Sequence, residues 1–255
     1  VGWFARPFGA TGHSIAHERL EETVMLTTQK EPRPTFTDRL ASFLRKYRVA
    51  LTITLIVLIV LVIAYFAWTQ LQTSVREKST VLAEEAQSTF QEWQSETAQD
   101  KKDTTEKKLS DQLDAILKRY PRQYAAQRAY MIRGELAYEK KEWADAAQSF
   151  TTLSRSFPDS YLAPLGLLYA GMSYEQSGET DRALETYTSF TKRFKDDFLM
   201  PRVLFSLGRL YEQKQDFKAA ADSYNRLQDD FPLSNWTKVA RNRIIELQTK
   251  GQIAE

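Results

Sequence analysis

Apolar positions fall along this chain in two contrasting ways: one unbroken block, then a long periodic stretch. From Val49 to Val75 no residue is charged, and Ala50 to Trp68 is almost wholly apolar. At a rise of ~1.5 Å per residue such a helix covers about 30 Å, the thickness of a bilayer core. The twelve Leu, Ile, Val and Phe residues between Leu51 and Phe66 contribute on the order of −4 to −7 kcal/mol to insertion. Thr52 and Thr54 can return their hydroxyls to the helix's own carbonyls, so neither argues against burial in lipid. A buried core helix of a soluble protein seldom runs this long without a charge. A cleaved signal has a shorter apolar region ending in small residues, whereas this one leads into Tyr65, Phe66 and Trp68. Those rings suit a membrane interface, with Tyr47 at the other end. The expected element is a transmembrane helix over 47–69 that meets lipid through residues 49–68.

Beyond the block a spacing of 37 recurs. It separates Gly134, Gly171 and Gly208, then Ala146, Ala183 and Ala220, then Phe150, Tyr187 and Tyr224, then Phe157, Phe194 and Phe231. A period between about 20 and 50 residues is the mark of a solenoid. Within a repeat, a small residue followed by an aromatic one helical turn later, as in Gly208 and Tyr211, lets two helices approach closely. Ala220 and Tyr224, at i and i+4, form the inward face of a second helix. Pro158 and Pro232 end that second helix, because the residue before proline disfavours the α region. Each unit is expected to be a helix-turn-helix hairpin.

The same shift carried upstream pairs Phe157 and Pro158 with Tyr120 and Pro121, and Phe150 with Leu113. Residues 107–120 then read as the second helix of a degenerate leading repeat, whose first helix falls within 72–98. Asp100 to Lys108, charged and without apolar content, is the expected turn between them. At the other end, Asn235 to Lys250 is expected to close the stack by covering the last hairpin's apolar face.

Charge orients the block. Between Leu26 and Ala50 the local charge is +4, with Arg45, Lys46 and Arg48 abutting the apolar stretch, whereas Arg76 to Asp100 carries −4. The positive-inside rule therefore keeps the N-terminus in the cytoplasm and exports the rest. Residues 1–46 are expected to be a flexible basic cytoplasmic tail, since their Gly, Pro, Thr and Ser show no sustained period. Val1 is an odd first residue, and one expectation is a native start at Met25; an intact mass that includes Val1 would reject it. The net charge of +2 gives no general drive toward nucleic acid, and the absence of cysteine removes disulfides, thiolate catalysis and zinc-thiolate sites. His13 and His17 stand i, i+4 in the tail without a third ligand, which makes no metal site. Gly9-Ala-Thr-Gly12-His-Ser lacks the lysine of a phosphate loop. Beyond the tail there is no histidine or cysteine to serve a hydrolytic triad, so no enzyme, cofactor or small-molecule substrate is expected.

Gly208, Tyr211, Ala220, Tyr224 and Pro232 match the pattern of the tetratricopeptide repeat family, which residues 124–248 resemble in three in-phase copies. The period is three longer than the family's usual 34; Ala137 stands where Tyr is expected in the first copy, and Lys195 where Pro is expected in the second. The extra residues are expected to lengthen the loop between hairpins. The resemblance implies an all-α protein: the N-terminal transmembrane helix, then a right-handed tetratricopeptide-type α-solenoid of three to four helical hairpins plus a closing helix. The expected boundaries are 70–106 for a helical stalk with the first helix of the degenerate repeat and 107–252 for the solenoid.

The resemblance also implies a concave groove for protein partners, lined by the first helix of each hairpin. In the first copy its positions are Arg128, Met131, Glu135 and Tyr138; in the second, Leu165, Leu168, Tyr169 and Met172. In the third they are Arg202, Phe205 and Arg209, followed by Asn242 and Arg243 on the closing helix. Arginines among aromatics suit a partner with apolar anchors and acidic groups. The layout of basic tail, single span and exported repeat domain resembles the YfgM family of bacterial inner-membrane proteins. That likeness implies an ancillary partner of the Sec translocon and periplasmic chaperones; a scaffold subunit of an envelope machine and a regulatory subunit holding an enzyme at the membrane are the other roles the layout allows.

Overall fold

The computed structural model describes residues 35–254. Those residues are helical throughout, without a strand, in the order α1 Phe36–Ser95, α2 Gln99–Arg119, α3 Tyr124–Glu139, α4 Trp143–Ser156, α5 Ala163–Gln176, α6 Thr180–Arg193, α7 Met200–Gln213, α8 Phe217–Asp230 and α9 Asn235–Thr249. The chain divides into two units, the boundary falling within α1 between Trp68 and Thr69. Residues 1–34 of the expected tail, with the Gly9-Ala-Thr-Gly12 segment, the His13/His17 pair and Met25, lie outside the described residues.

In the first unit, α1 starts earlier than expected. Residues 36–46 are helix rather than flexible tail, because Thr35 and Asp38 cap the start reciprocally. The Thr35 N–H donates to the Asp38 carboxylate at 3.0 Å and the Asp38 N–H to the Thr35 hydroxyl at 3.4 Å, the arrangement of a capping box. Thr52 and Thr54 return their hydroxyls to the carbonyls of Arg48 and Ala50, each at 2.9 Å, as the apolar setting requires. Within α1 an 18-residue window reaches a mean hydropathy of 3.0 with none of it buried. By length and composition this helix can cross a membrane.

In the second unit, α1 buries Ala83, Ala86, Phe90 and Trp93 against Leu109, Leu113 and Ile116 of α2 and Ala129 and Ile132 of α3. The expected turn over Asp100 to Lys108 is instead the start of α2. The break falls at residues 96–98, where the Glu96 carboxylate accepts the N–H groups of Thr97 and Ala98. The segment is helical because one face of it is covered: Thr105 and, one turn on, Leu109 are buried, and the Lys102 ammonium sits 4.3 Å from the centre of the Trp93 ring.

Three hairpins follow, α3/α4, α5/α6 and α7/α8, each closed in the same way. A Cβ on Gly134, Gly171 or Gly208 would fall within 3.0 Å of the ring of Phe150, Tyr187 or Tyr224 respectively, so the first helix can rest on the second's aromatic only where it has no side chain. Between the helices of each hairpin, Lys141, Gly178 and Gln215 take φ values of +64°, +78° and +60°. There Glu142, Glu179 and Asp216 donate back to the carbonyls of Ala137, Tyr174 and Tyr211, the six-to-one bond of a Schellman motif. The connections between hairpins are longer at 157–162 and 194–199 than at 120–123 and 231–234. Lys195 in place of proline changes nothing in the turn: Asp197 N–H reaches Phe194 O, as Ser160 reaches Phe157 and Ser234 reaches Phe231. Helix α9 closes the stack, placing Ala240, Ile244 and Leu247 in one cluster with Leu207, Leu210, Tyr224 and Leu227.

Candidate functional site

The first helices α3, α5 and α7, with α9, carry the positions expected to form a groove, and the structure sorts them into three groups. Met131 and Leu168 do not face a groove at all: their side chains are 2% and 0% exposed and belong to the interhelical core. The family's groove positions were read one helical row too far inward there, and the space those side chains fill lies between helices. Leu165 is half-buried against the same core, and Asn242 is exposed.

A second group is tied into polar bridges. The Tyr187 hydroxyl of α6 donates to Glu175 of α5 at 2.6 Å, and Arg209 of α7 pairs with the same carboxylate. One repeat on, the Tyr224 hydroxyl of α8 donates to Glu212 of α7 at 2.5 Å, and Arg243 of α9 pairs with Glu212 while reaching Glu246 at 2.5 Å. The Glu175 and Glu212 side chains are only 12% and 10% exposed. Desolvated carboxylates of this kind need several charge-assisted partners, which the phenol and guanidinium supply. Burial, reinforced by the adjacent carboxylates, pushes both phenols well above their ordinary range. Arg209 and Arg243, expected to await acidic groups of a partner, are therefore spoken for within the chain. Phe205 packs beside this layer, its ring 5.7 Å from Tyr224 and 5.1 Å from Trp236.

The third group opens onto space. Glu135, Tyr138, Tyr169 and Met172 line a depression of about 420 Å³. Phe150 of α4 stands at its floor, 5.3 Å from the Tyr169 ring, and Tyr138 meets Trp143 edge-on at 4.9 Å. The last turns of α1 supply Gln87, Phe90 and Gln94, which sequence reasoning missed. Their signal is hidden because α2 runs 21 residues against 14 in α4, α6 and α8, so the turn before it falls at 96–98, ahead of where the period of 37 places it. Phe150 was legible, being the one member of the Phe150, Tyr187, Tyr224 series without a hydroxyl.

The depression exists where the bridge does not. One period before Tyr187 and Glu175 stand Phe150 and Tyr138, so donor and carboxylate acceptor are both missing from the first hairpin. In their place are a half-buried carboxylate and three rings. Burial holds the Glu135 carboxyl above the ordinary range, with Arg128 partly opposing and Glu139 adding to the shift. Arg202 of α7, the remaining arginine of the expected groove, donates to the Met172 sulfur at 3.2 Å.

Residues 41–195 match the tetratricopeptide repeat-like domain, and residues 168–235 match the tetratricopeptide repeat. The chain belongs to the tetratricopeptide repeat-like domain family. No curated protein matches the chain. The first of these matches includes the whole apolar block of α1 and the leading helices, and the second runs from within α5 to the start of α9. Tetratricopeptide repeat domains are protein–protein interaction modules and generally not catalysts.

Proposed function

We propose that this tetratricopeptide protein is a membrane-anchored interaction module of the bacterial envelope, with residues 49–68 in the inner membrane and the helical hairpins in the periplasm. The observation that carries the reading is the unburied apolar stretch of α1. Leu, Ile and Val side chains from Leu51 to Ile63 are 39–64% exposed, and each favours transfer out of water by roughly 1.5–3 kcal/mol. Lipid is the cover that matches their length, and the bases Arg45, Lys46 and Arg48 at one end favour a cytoplasmic N-terminus.

The finer reading is an ancillary role beside the Sec translocon and periplasmic chaperones, with the groove residues Glu135, Tyr138, Tyr169 and Met172 as the docking face. Two measurements test it. Protein in isolated inner membranes should resist alkaline carbonate, and its hairpin domain should be digested by protease added to spheroplasts; solubility in carbonate removes the anchor. Photo-crosslinking from Tyr138 in intact cells should capture translocon subunits and newly exported chains. Recovery of one fixed stoichiometric assembly instead would assign the protein to a structural scaffold.

A further inference from the structure

The molecule's charged groove positions are unevenly satisfied, and the imbalance identifies a ligand chemistry. Toward the C-terminus every half-buried carboxylate of the face is matched: Glu175 by Tyr187 and Arg209, Glu212 by Tyr224 and Arg243. In the depression over Phe150 the accounting differs. Glu139 accepts only from the neutral Gln94 amide, and Glu135, half-buried, has neither an ion pair nor a hydrogen bond. The residues lining the depression include two carboxylates and no lysine or arginine. Arg128, two turns back along α3, points its guanidinium at Gln87 and offsets Glu135 only in part. Arg202 is turned onto the Met172 sulfur.

Resting on the reading of the protein as an interaction module, we infer that this depression receives an apolar side chain flanked by a lysine or arginine of a partner polypeptide, with the cation against Glu135 and Glu139. The rings of Phe150, Tyr138 and Tyr169 and the thioether of Met172 give the apolar anchor a polarizable floor and walls. The cation completes the set of charges that the bridges complete elsewhere. A carboxylate that is half desolvated before binding loses less hydration when the partner arrives, so it discriminates strongly between a cationic and an anionic neighbour. The trailing repeats, neutralised from within, offer no equivalent seat.

The test uses the full chain in nonionic detergent micelles and two fluorescein-labelled octapeptides, Gly-Ser-Leu-Lys-Phe-Lys-Ser-Gly and its counterpart with both lysines replaced by glutamate. Fluorescence anisotropy should report binding of the lysine peptide that weakens with added salt, and no binding of the glutamate peptide. Glu135→Gln should raise Kd by about tenfold, the expected size for losing one partly desolvated charge pair. The triple variant Tyr138→Glu, Phe150→Tyr and Met172→Arg, which rebuilds phenol, carboxylate and arginine of the trailing bridge inside the depression, should abolish binding. Equal affinity for the two peptides, preference for the glutamate peptide, or an unchanged Kd in Glu135→Gln overturns the inference. Those results leave the interaction-module reading standing, because that reading fails on a separate observation, the absence of any protein adduct from a photo-crosslinker at Tyr138 in cells.

Discussion

The first hairpin, α3/α4, and the two after it, α5/α6 and α7/α8, have the same backbone and different chemistry. All three rest a glycine on an aromatic ring and turn through a left-handed residue at the same point. They part at two side chains. Tyr187 and Tyr224 anchor Glu175 and Glu212, which in turn hold an arginine two helices on, so each trailing hairpin is stitched to its successor. Phe150 and Tyr138 occupy the same two positions in the first hairpin and leave an open depression. A solenoid can therefore keep one packing scheme throughout and confine its reactive surface to the copy in which a polar tie is missing. Arginines along a groove are not evidence of an acidic partner until their own partners are known.

The largest expected effect tests whether the ties stiffen the aromatic floor. Gly171→Ala drives a methyl into Tyr187, whose hydroxyl is held by Glu175, and should cost about 3 kcal/mol, the upper end for overpacking. Gly134→Ala meets Phe150, which has no tether and borders the depression, and should cost about 1 kcal/mol as the ring gives way. Urea unfolding of the two variants measures the difference. Equal losses would mean that the hydroxyl bonds do not restrain the rings.

Next in size is the bridge itself. Glu212→Ala removes the acceptor of a buried phenol and one partner of Arg243, and should cost about 2 kcal/mol. Phe150→Tyr alone places a hydroxyl where Tyr138 stands in the place of the bridge's carboxylate, and should change stability by less than about 0.5 kcal/mol, since the depression admits water. Adding Tyr138→Glu should then return about 1 kcal/mol of coupling, read from a double-mutant cycle. Additive behaviour would show that the bridge depends on neighbours other than these two positions.

Much of this difference was open to a reader of the sequence. The period of 37 locates the close-packed glycine and the ring it rests on in each of the three hairpins, because helix packing demands the same small and large residues in each copy. The missing hydroxyl at position 150 is visible in the same series. What the period could not carry was the start of the leading repeat, where α2 is seven residues longer than the second helices of the later hairpins and the turn before it falls at 96–98. Gln87, Phe90 and Gln94 were lost with it. Charge was misleading in two places: it made Asp100 to Lys108 look like a turn when one buried face suffices for a helix, and it made Arg209 and Arg243 look free. Partners one repeat away in space lie more than 30 positions away in sequence, and composition alone does not pair them.

The turns between paired helices should behave alike in both regions, and so serve as the control. Lys141 and Gln215 hold left-handed conformations that cost a side-chain-bearing residue about 1 kcal/mol, while Gly178 adopts the same conformation freely. Lys141→Gly and Gln215→Gly should each raise stability by about 0.5 kcal/mol after the entropic cost of glycine, and Gly178→Ala should lower it by about 1 kcal/mol. Thermal melting of each variant checks the sign. A gain in one hairpin and not in the other would place a regional difference in the backbone as well as in the side chains.

The smallest effect distinguishes the two regions by the direction of a pH slope. Burial raises the Glu135 carboxyl in the folded state, with Arg128 opposing and Glu139 assisting, so folding takes up protons above the ordinary glutamate value of about 4.3. The stability this contributes is complete below that value and is lost as pH rises through the higher folded value. At the other end of the stack, Lys250 and then Arg243 lower the exposed Glu246 carboxyl, so its contribution is present above the ordinary value and is lost as pH falls through the depressed one. Unfolding free energies of the parent, Glu135→Gln and Glu246→Gln, measured from about pH 3.5 to 7 across the glutamate range, should give difference curves of opposite slope. The parent's advantage over Glu135→Gln should shrink toward neutral pH, and its advantage over Glu246→Gln should grow. Parallel curves would mean that Glu135 already has a cationic partner in the free protein, and the vacancy that separates the first hairpin from the others would be gone.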